Sequence, residues 1–215
     1  MWAAPWRLQP VANDTNTVKD DISYMRQLAE KGGRGTIVGG TFLAAAGLIY
    51  GTACFAQWAI LAGRLPIAPS QSGHLWLAAS VLFAVLWLVL FARVLRGKVS
   101  GSGVSNFAFG MAWTGCAIGI FVVVGAIAIV TEVTHVPAVQ NMYAPATMAF
   151  YGSAWFVAGA MARRPWMYLA AVVAFVSSLL TAAMTGDQRQ LLVWGAALLL
   201  SLAVPGFKLM FEQSR

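Results

Sequence analysis

Six long apolar runs, at about residues 37–62, 74–95, 106–130, 144–162, 165–184 and 189–211, fill this chain from Ile37 to Phe211. Each approaches the roughly 20 residues that a helix needs to cross the hydrocarbon core of a bilayer. Inside lipid the backbone has no water to bond, so such runs fold as helices that satisfy their own N–H and C=O groups. The expected fold is therefore all-α, a polytopic membrane protein with six transmembrane helices and an N-terminal amphipathic cytoplasmic helix. Composition points the same way. The chain is 60% hydrophobic and only 10% charged, against about 25% charged in soluble domains. A net charge of +7 does not mark a nucleic-acid binder here. The basic residues flank the apolar runs, where they set topology and face anionic headgroups. The expected partner is the lipid bilayer, with no nucleic acid.

The cations also give an orientation. Arg26, Lys31, Arg34, Arg93, Arg96, Lys98, Arg163, Arg164, Lys208 and Arg215 share one set of connections, and the other set holds only Arg64 and Arg189. The positive-inside rule then puts both termini in the cytoplasm. Aromatic residues follow the same register, with Trp58, Trp76 and Tyr143 near the outer boundary and Trp166, Tyr168, Phe207 and Phe211 near the inner one. Trp113, Trp155 and Trp194 fall deeper and are expected to pack between helices with their N–H groups bonded. Cys54 and Cys116 lie inside the runs and read as small buried hydrophobes. Met1 to Arg7 has no continuous apolar stretch, so no cleavable signal peptide is expected.

Ahead of the first span the chain divides in two. Residues 1–16 are rich in Pro, Asn and Asp and read as a flexible tail. Residues 17–33 read as a surface helix. Thr17 starts it with an acid at Asp20, and Gly32-Gly33 ends it. Val18, Ile22, Met25, Leu28 and Ala29 share one face at helical spacing. On this helix Asp21, Tyr24, Arg26 and Glu30 are candidate contacts to a partner or to headgroups. The rest of the chain, 34–215, is the six-helix domain. The stretch Asp21-Ile22-Ser23-Tyr24-Met25-Arg26-Gln27-Leu28-Ala29-Glu30, running into Gly39-Gly40, resembles bacterial inner-membrane proteins of about this length and layout. That resemblance implies a bacterial inner (cytoplasmic) membrane and carries no activity with it.

Candidate sites are few. Gly47 and Gly51, and Gly115 and Gly119, form two small-xxx-small motifs suited to close helix packing, within the bundle or in a homo-oligomer. Tyr50-Gly51-Thr52-Ala53-Cys54-Phe55 is echoed by Tyr151-Gly152-Ser153-Ala154-Trp155-Phe156 in a span of opposite direction. This suggests a three-plus-three inverted repeat, a common plan in transporters, with a pathway at Thr52, Gly152 and Ser153. His74, Glu132, His135 and Asp187 map to the non-cytoplasmic side and could ligate a divalent metal; Glu132 and His135 share a face if the third span continues as helix that far. Pro205-Gly206 is expected to kink the last span. No Asp, Glu, Lys or Arg sits at the centre of a span, which argues against a proton-coupled pump. There is no nucleophile elbow, zinc-protease motif, phosphate loop or CxxC, so an enzyme is not the expected reading. The cofactor stays open: the many Trp, Phe and Tyr could line a hydrophobic pocket or simply fill a bundle. Two functions fit. One is a non-enzymatic accessory or regulatory membrane protein, a subunit of a membrane complex, acting through partner or lipid contacts. The other is a small channel or carrier for a neutral or lipid-like solute.

Overall fold

The computed structural model describes residues 22–24, 39–95 and 104–213. Among them the chain is helical throughout, with no strand. The elements are α1 (Gly40–Leu61), α2 (Ser72–Leu95), α3 (Val104–Thr134), α4 (Tyr143–Ala162) and α5 (Pro165–Ala183). The final stretch is α6 (Gln190–Leu198), a π-helical segment Leu199–Ala203, and α7 (Val204–Gln213). We refer to these last three together as the C-terminal rod. Five stretches are long and apolar enough to cross a membrane: Gly40–Leu61, Pro69–Arg93, Phe109–Thr134, Pro165–Ala183 and Gln190–Glu212. The span expected at 144–162 is a helix of comparable length, α4, that is not among those five. Its sequence, YAPATMAFYGSAWFVAGAMA, spends positions on Ala, Gly, Thr and Ser that the other spans give to Leu, Ile and Val. Of the surface helix at 17–33, only 22–24 are described. They are helical, with Ile22 and Tyr24 exposed. The tail 1–16 and Asp21, Arg26 and Glu30 lie outside the described residues.

Large apolar side chains cover the outside. Phe121 is 79% exposed and Leu179 73% exposed, which is a costly arrangement in water and an ordinary one in hydrocarbon. The helices alternate in direction. The end bearing Arg93, Arg163, Arg164 and Lys208 is called the basic end below. Half of α1 and half of the rod are buried within the protein, but only 6% of the α2 window and 11% of the α3 window. The core is therefore α1, the rod, α4 and α5. Helix α2 packs chiefly on α1, and α3 chiefly on α4.

Small residues set the α1–rod contact. A Cβ on Gly47 would stand 2.5 Å from the Ala203 backbone nitrogen, and one on Gly195 would stand 3.0 Å from the Gly51 carbonyl oxygen. Gly206 packs just as closely on Ala44. Backbone-to-backbone approach of this kind gives dispersion contacts along the whole crossing. Helix hydroxyls mostly bond back to their own turn. Thr52 donates to Leu48 and Ile49, Thr114 to Gly110, and Ser153 to Ala149. Ser178 is different and reaches the Pro145 carbonyl at 2.7 Å, pinning α5 to α4.

The interruption in the rod has a covalent cause. Pro205 has no N–H to return to the Ser201 carbonyl four residues earlier. The chain widens into the π turn at Leu199–Ala203, and the Trp155 indole N–H of α4 donates to the Ser201 carbonyl at 2.6 Å. Both Trp155 and Ser201 are fully buried. At the far end the buried Gln190 amide donates to Asn141 O at 3.0 Å and Thr181 O at 2.8 Å. That side chain ties the start of α6 to the α3–α4 connection and to the end of α5.

Candidate functional site

Of the echoed motifs of α1 and α4, the tyrosines come near each other inside the bundle. Tyr50 and Tyr151 each sit about 15 Å along their helix from the basic end, taking the standard helical rise. Tyr151 lies within electrostatic range of Tyr50, Cys54 and Cys116. Rings extend from this pair in both directions. Tyr50 stacks on Trp76 at 6.4 Å, and Trp76 on Trp194 at 5.5 Å, with Phe83 tilted against Tyr50 at 5.5 Å. On the other side Tyr151 meets Trp113 at 6.1 Å, Trp113 meets Trp155 edge-on at 5.2 Å, and Trp155 meets Trp166 at 5.8 Å. The rings thus form two groups, one on α1, α2 and α6 and one on α3, α4 and α5, and the seam is the boundary where Tyr50 and Tyr151 bring them within electrostatic range.

The polar edges of this seam are not equally satisfied. Trp155 bonds Ser201 O, and the Trp76 indole N–H donates to Gln57 Oε1 at 2.5 Å. Trp113 and Trp194, expected to be bonded like Trp155, are not. Their indole nitrogens are sealed from solvent and have no partner among the described residues. The reason is local. The hydroxyl of Thr114 and the backbone around both rings are committed to helix bonds, and neither Cys54 nor Cys116 is a strong acceptor. A buried indole donor without a partner costs about 1–3 kcal/mol, and buried polar groups are rarely left so. Trp194 lies toward the end opposite the basic one, because its neighbour Gly195 packs on Gly51 and Cys54. Trp113 lies on the basic side, against Trp155. The two open donors mark two levels along one seam, with the tyrosines between them.

The other positions singled out in the sequence are scattered by the fold. Gly47 and Gly51 face the rod, Gly119 faces the Phe150 ring, and Gly115 meets nothing within 4 Å. Gly152 is buried against Phe175 of α5 at 2.6 Å from a built Cβ, a packing contact rather than a lining position. Thr52 and Ser153 are exposed. Thr52 opens on a groove of about 410 Å³ between α1 and α2, walled by Leu48, Ile49, Leu75, Ala78 and Leu82. His74, Glu132, His135 and Asp187 are not gathered together: among the described residues no three His, Cys, Asp or Glu form a group that could hold a metal. Helix α3 ends at Thr134, and His135 turns the chain at φ 54°, so Glu132 and His135 do not share a helical face. The orphaned donors themselves escaped sequence reading, since a Trp spacing does not reveal which indole finds an acceptor. The echo of Tyr50 and Tyr151 and the depth of Trp113, Trp155 and Trp194 are the sequence features that fall in this region.

No protein-family model, curated protein or solved structure matches the chain.

Proposed function

We propose that this protein crosses a bacterial inner membrane six times, with both termini cytoplasmic, and is a small carrier for a neutral or lipid-like solute. In this reading α4 is the sixth span, and α1–α3 and α4–α6 with α7 are the halves of an inverted repeat. The solute sits at the seam where the halves meet. The observation that carries the reading is the pair of sealed, unpartnered indole N–H groups of Trp113 and Trp194 on either side of Tyr50 and Tyr151. Such donors suit a flat or flexible apolar molecule with carbonyl or ether acceptors. A charged solute is disfavoured, because among the described residues no ionised side chain acts on Tyr151 beside Tyr50 to offset the solute's desolvation.

The test is organic extraction of the gently purified full chain, with mass spectrometry of the extract, beside Trp113→Phe with Trp194→Phe. One neutral, acceptor-bearing molecule is expected near stoichiometry in wild type and depleted severalfold in the double variant. Identical extracts, or bulk membrane lipid alone in both, overturn the assignment.

A second reading rests on Ile22 and Tyr24, which are helical yet exposed. An accessory or regulatory role would run through the segment that contains them. Reversing the charges at Asp21 and Arg26 should then abolish co-purification of a membrane-complex partner while insertion survives. An unchanged pull-down removes this reading.

A further inference from the structure

At the basic end the turn between α4 and α5 forms a recess of about 400 Å³ lined by Arg163, Arg164, Pro165, Trp166 and Glu212. Arg164 is ion-paired with Glu212 of α7. The Lys208 ammonium lies over the Trp166 ring, 4.4 Å from its centroid. Three cations and one carboxylate converge here, and the carboxylate is already engaged by Arg164. Arg163 and Lys208 are exposed and have no acidic partner among the described residues. Arg163 also holds the left-handed backbone, φ 52° and ψ 40°, at the C-terminus of α4. Glycine usually takes that position, because a side chain there is strained. This chain keeps an extra cation at it.

The surroundings are those of a lipid headgroup. Leu169 and Phe211, on the two helices that bear the recess, are 67% and 69% exposed. Trp166 and Tyr168 stand at the level where aromatic side chains favour the bilayer interface. Basic recesses between helices at a membrane face bind anionic headgroups. We propose that Arg163, Arg164 and Lys208 form a binding site for the phosphate of an anionic phospholipid, with its acyl chains against the apolar flanks of α5 and α7. Arg164, fixed by Glu212, orients the site, and Arg163 and Lys208 supply the free charge. A free phosphate would gain the charges but not the apolar flanks, so the lipid is the ligand.

The experiment is native mass spectrometry of the full chain in a non-ionic detergent, with phosphatidylglycerol, phosphatidylcholine and inorganic phosphate as probes. Wild type should retain phosphatidylglycerol in preference to phosphatidylcholine. Each removed cation should lower that retention about fivefold, so Arg163→Gln with Lys208→Gln lowers it about 25-fold. Arg163→Gly removes the charge while relieving the backbone, so it keeps the test decisive if the double variant folds poorly. Arg93→Gln, on α2 and away from the recess, should retain the lipid as wild type does. Equal retention of the two lipids overturns the site, as do charge-removed variants that hold phosphatidylglycerol like wild type. Displacement of the lipid by millimolar inorganic phosphate overturns the lipid as its ligand.

Discussion

Phenylalanine at positions 113 and 194 keeps an aromatic ring in place and deletes the indole N–H that has no partner among the described residues. Two effects oppose each other. Removing an unsatisfied buried donor stabilises by about 1–3 kcal/mol. Losing the smaller half of the indole removes some 40 Å² of apolar contact, at most about 1 kcal/mol by the water-transfer coefficient and less where lipid takes its place. In a micelle the unfolded helices also leave some indoles unpaired, which draws the gain toward its lower end. Each variant should therefore lie between neutral and about 1 kcal/mol more stable than wild type when the seam is empty. Trp155→Phe provides the contrast. It loses the bond to Ser201 O and leaves that buried carbonyl unmet, so it should cost about 2–4 kcal/mol. For a chain of this length a 1 kcal/mol change moves Tm by about 2–4 °C. Reversible unfolding in mixed micelles, on protein stripped of bound small molecules, gives the three values side by side. If Trp113→Phe and Trp194→Phe destabilise as much as Trp155→Phe, both indoles have partners and the argument for a ligand at the seam fails.

Three further outcomes follow from the packing. Gly47→Leu should separate α1 from the rod and cost about 3 kcal/mol or more, because the obstruction is the Ala203 backbone and not a movable side chain, whereas Gly115→Leu meets open space and should stay within about 0.5 kcal/mol; circular dichroism melts of the pair check this, and equal losses refute it. Gln190→Leu leaves the carbonyls of Asn141 and Thr181 without their shared donor and should cost about 1–3 kcal/mol, seen first as faster amide exchange at the start of α6. Arg163→Gly should raise stability by about 1 kcal/mol by relieving the left-handed backbone, and a drop in Tm would contradict that strain.

What the sequence disclosed, it disclosed through local physics. The apolar runs at 37–62 and 165–184 correspond to Gly40–Leu61 and Pro165–Ala183, because hydrocarbon dictates helix wherever such a run occurs. Pro205 announced a break in the last span, though not its form: a π turn whose freed carbonyl is claimed by Trp155, 46 residues earlier in the chain. Gly47 and Gly51 read as packing positions, but their partners Gly195, Ala203 and Gly206 could be assigned only once helix order was known. Glu132 and His135 misled, because a three-residue spacing implies a common face only while the helix lasts, and it stops at Thr134. The unbonded indoles were beyond reach for a related reason. Whether Trp113 finds an acceptor depends on the side chains that α4 brings to it, such as Tyr151 and Trp155, and their placement depends on long-range packing.

The packing bears on how a carrier of this design would move. One close pair is α1 with the rod, joined by glycine contacts at backbone distance; the other is α4 with α5, joined by Gly152 against Phe175 and by Ser178 to Pro145 O. In the first pair backbone meets backbone, so sliding means lifting one helix off the other; in the second the Phe175 ring fills the notch at Gly152 and Ser178 bonds across, so each pair is a stiff unit. Between the pairs the contacts are of another kind. They are the end anchors of Gln190, the Trp155 bond to the π turn and, at the basic end, the Arg164–Glu212 ion pair with Lys208 over the Trp166 ring. A π turn can exchange its bonds with an α turn at small cost in helix continuity. The contacts between the pairs are thus sparser and more local than those within them. If solute moves through this protein, rocking of α4–α5 against α1 and the rod would expose Trp194 and Trp113 by turns. A disulfide locking those units together should then stop uptake into proteoliposomes without releasing bound solute, whereas uptake that survives the lock would remove rocking as the mechanism.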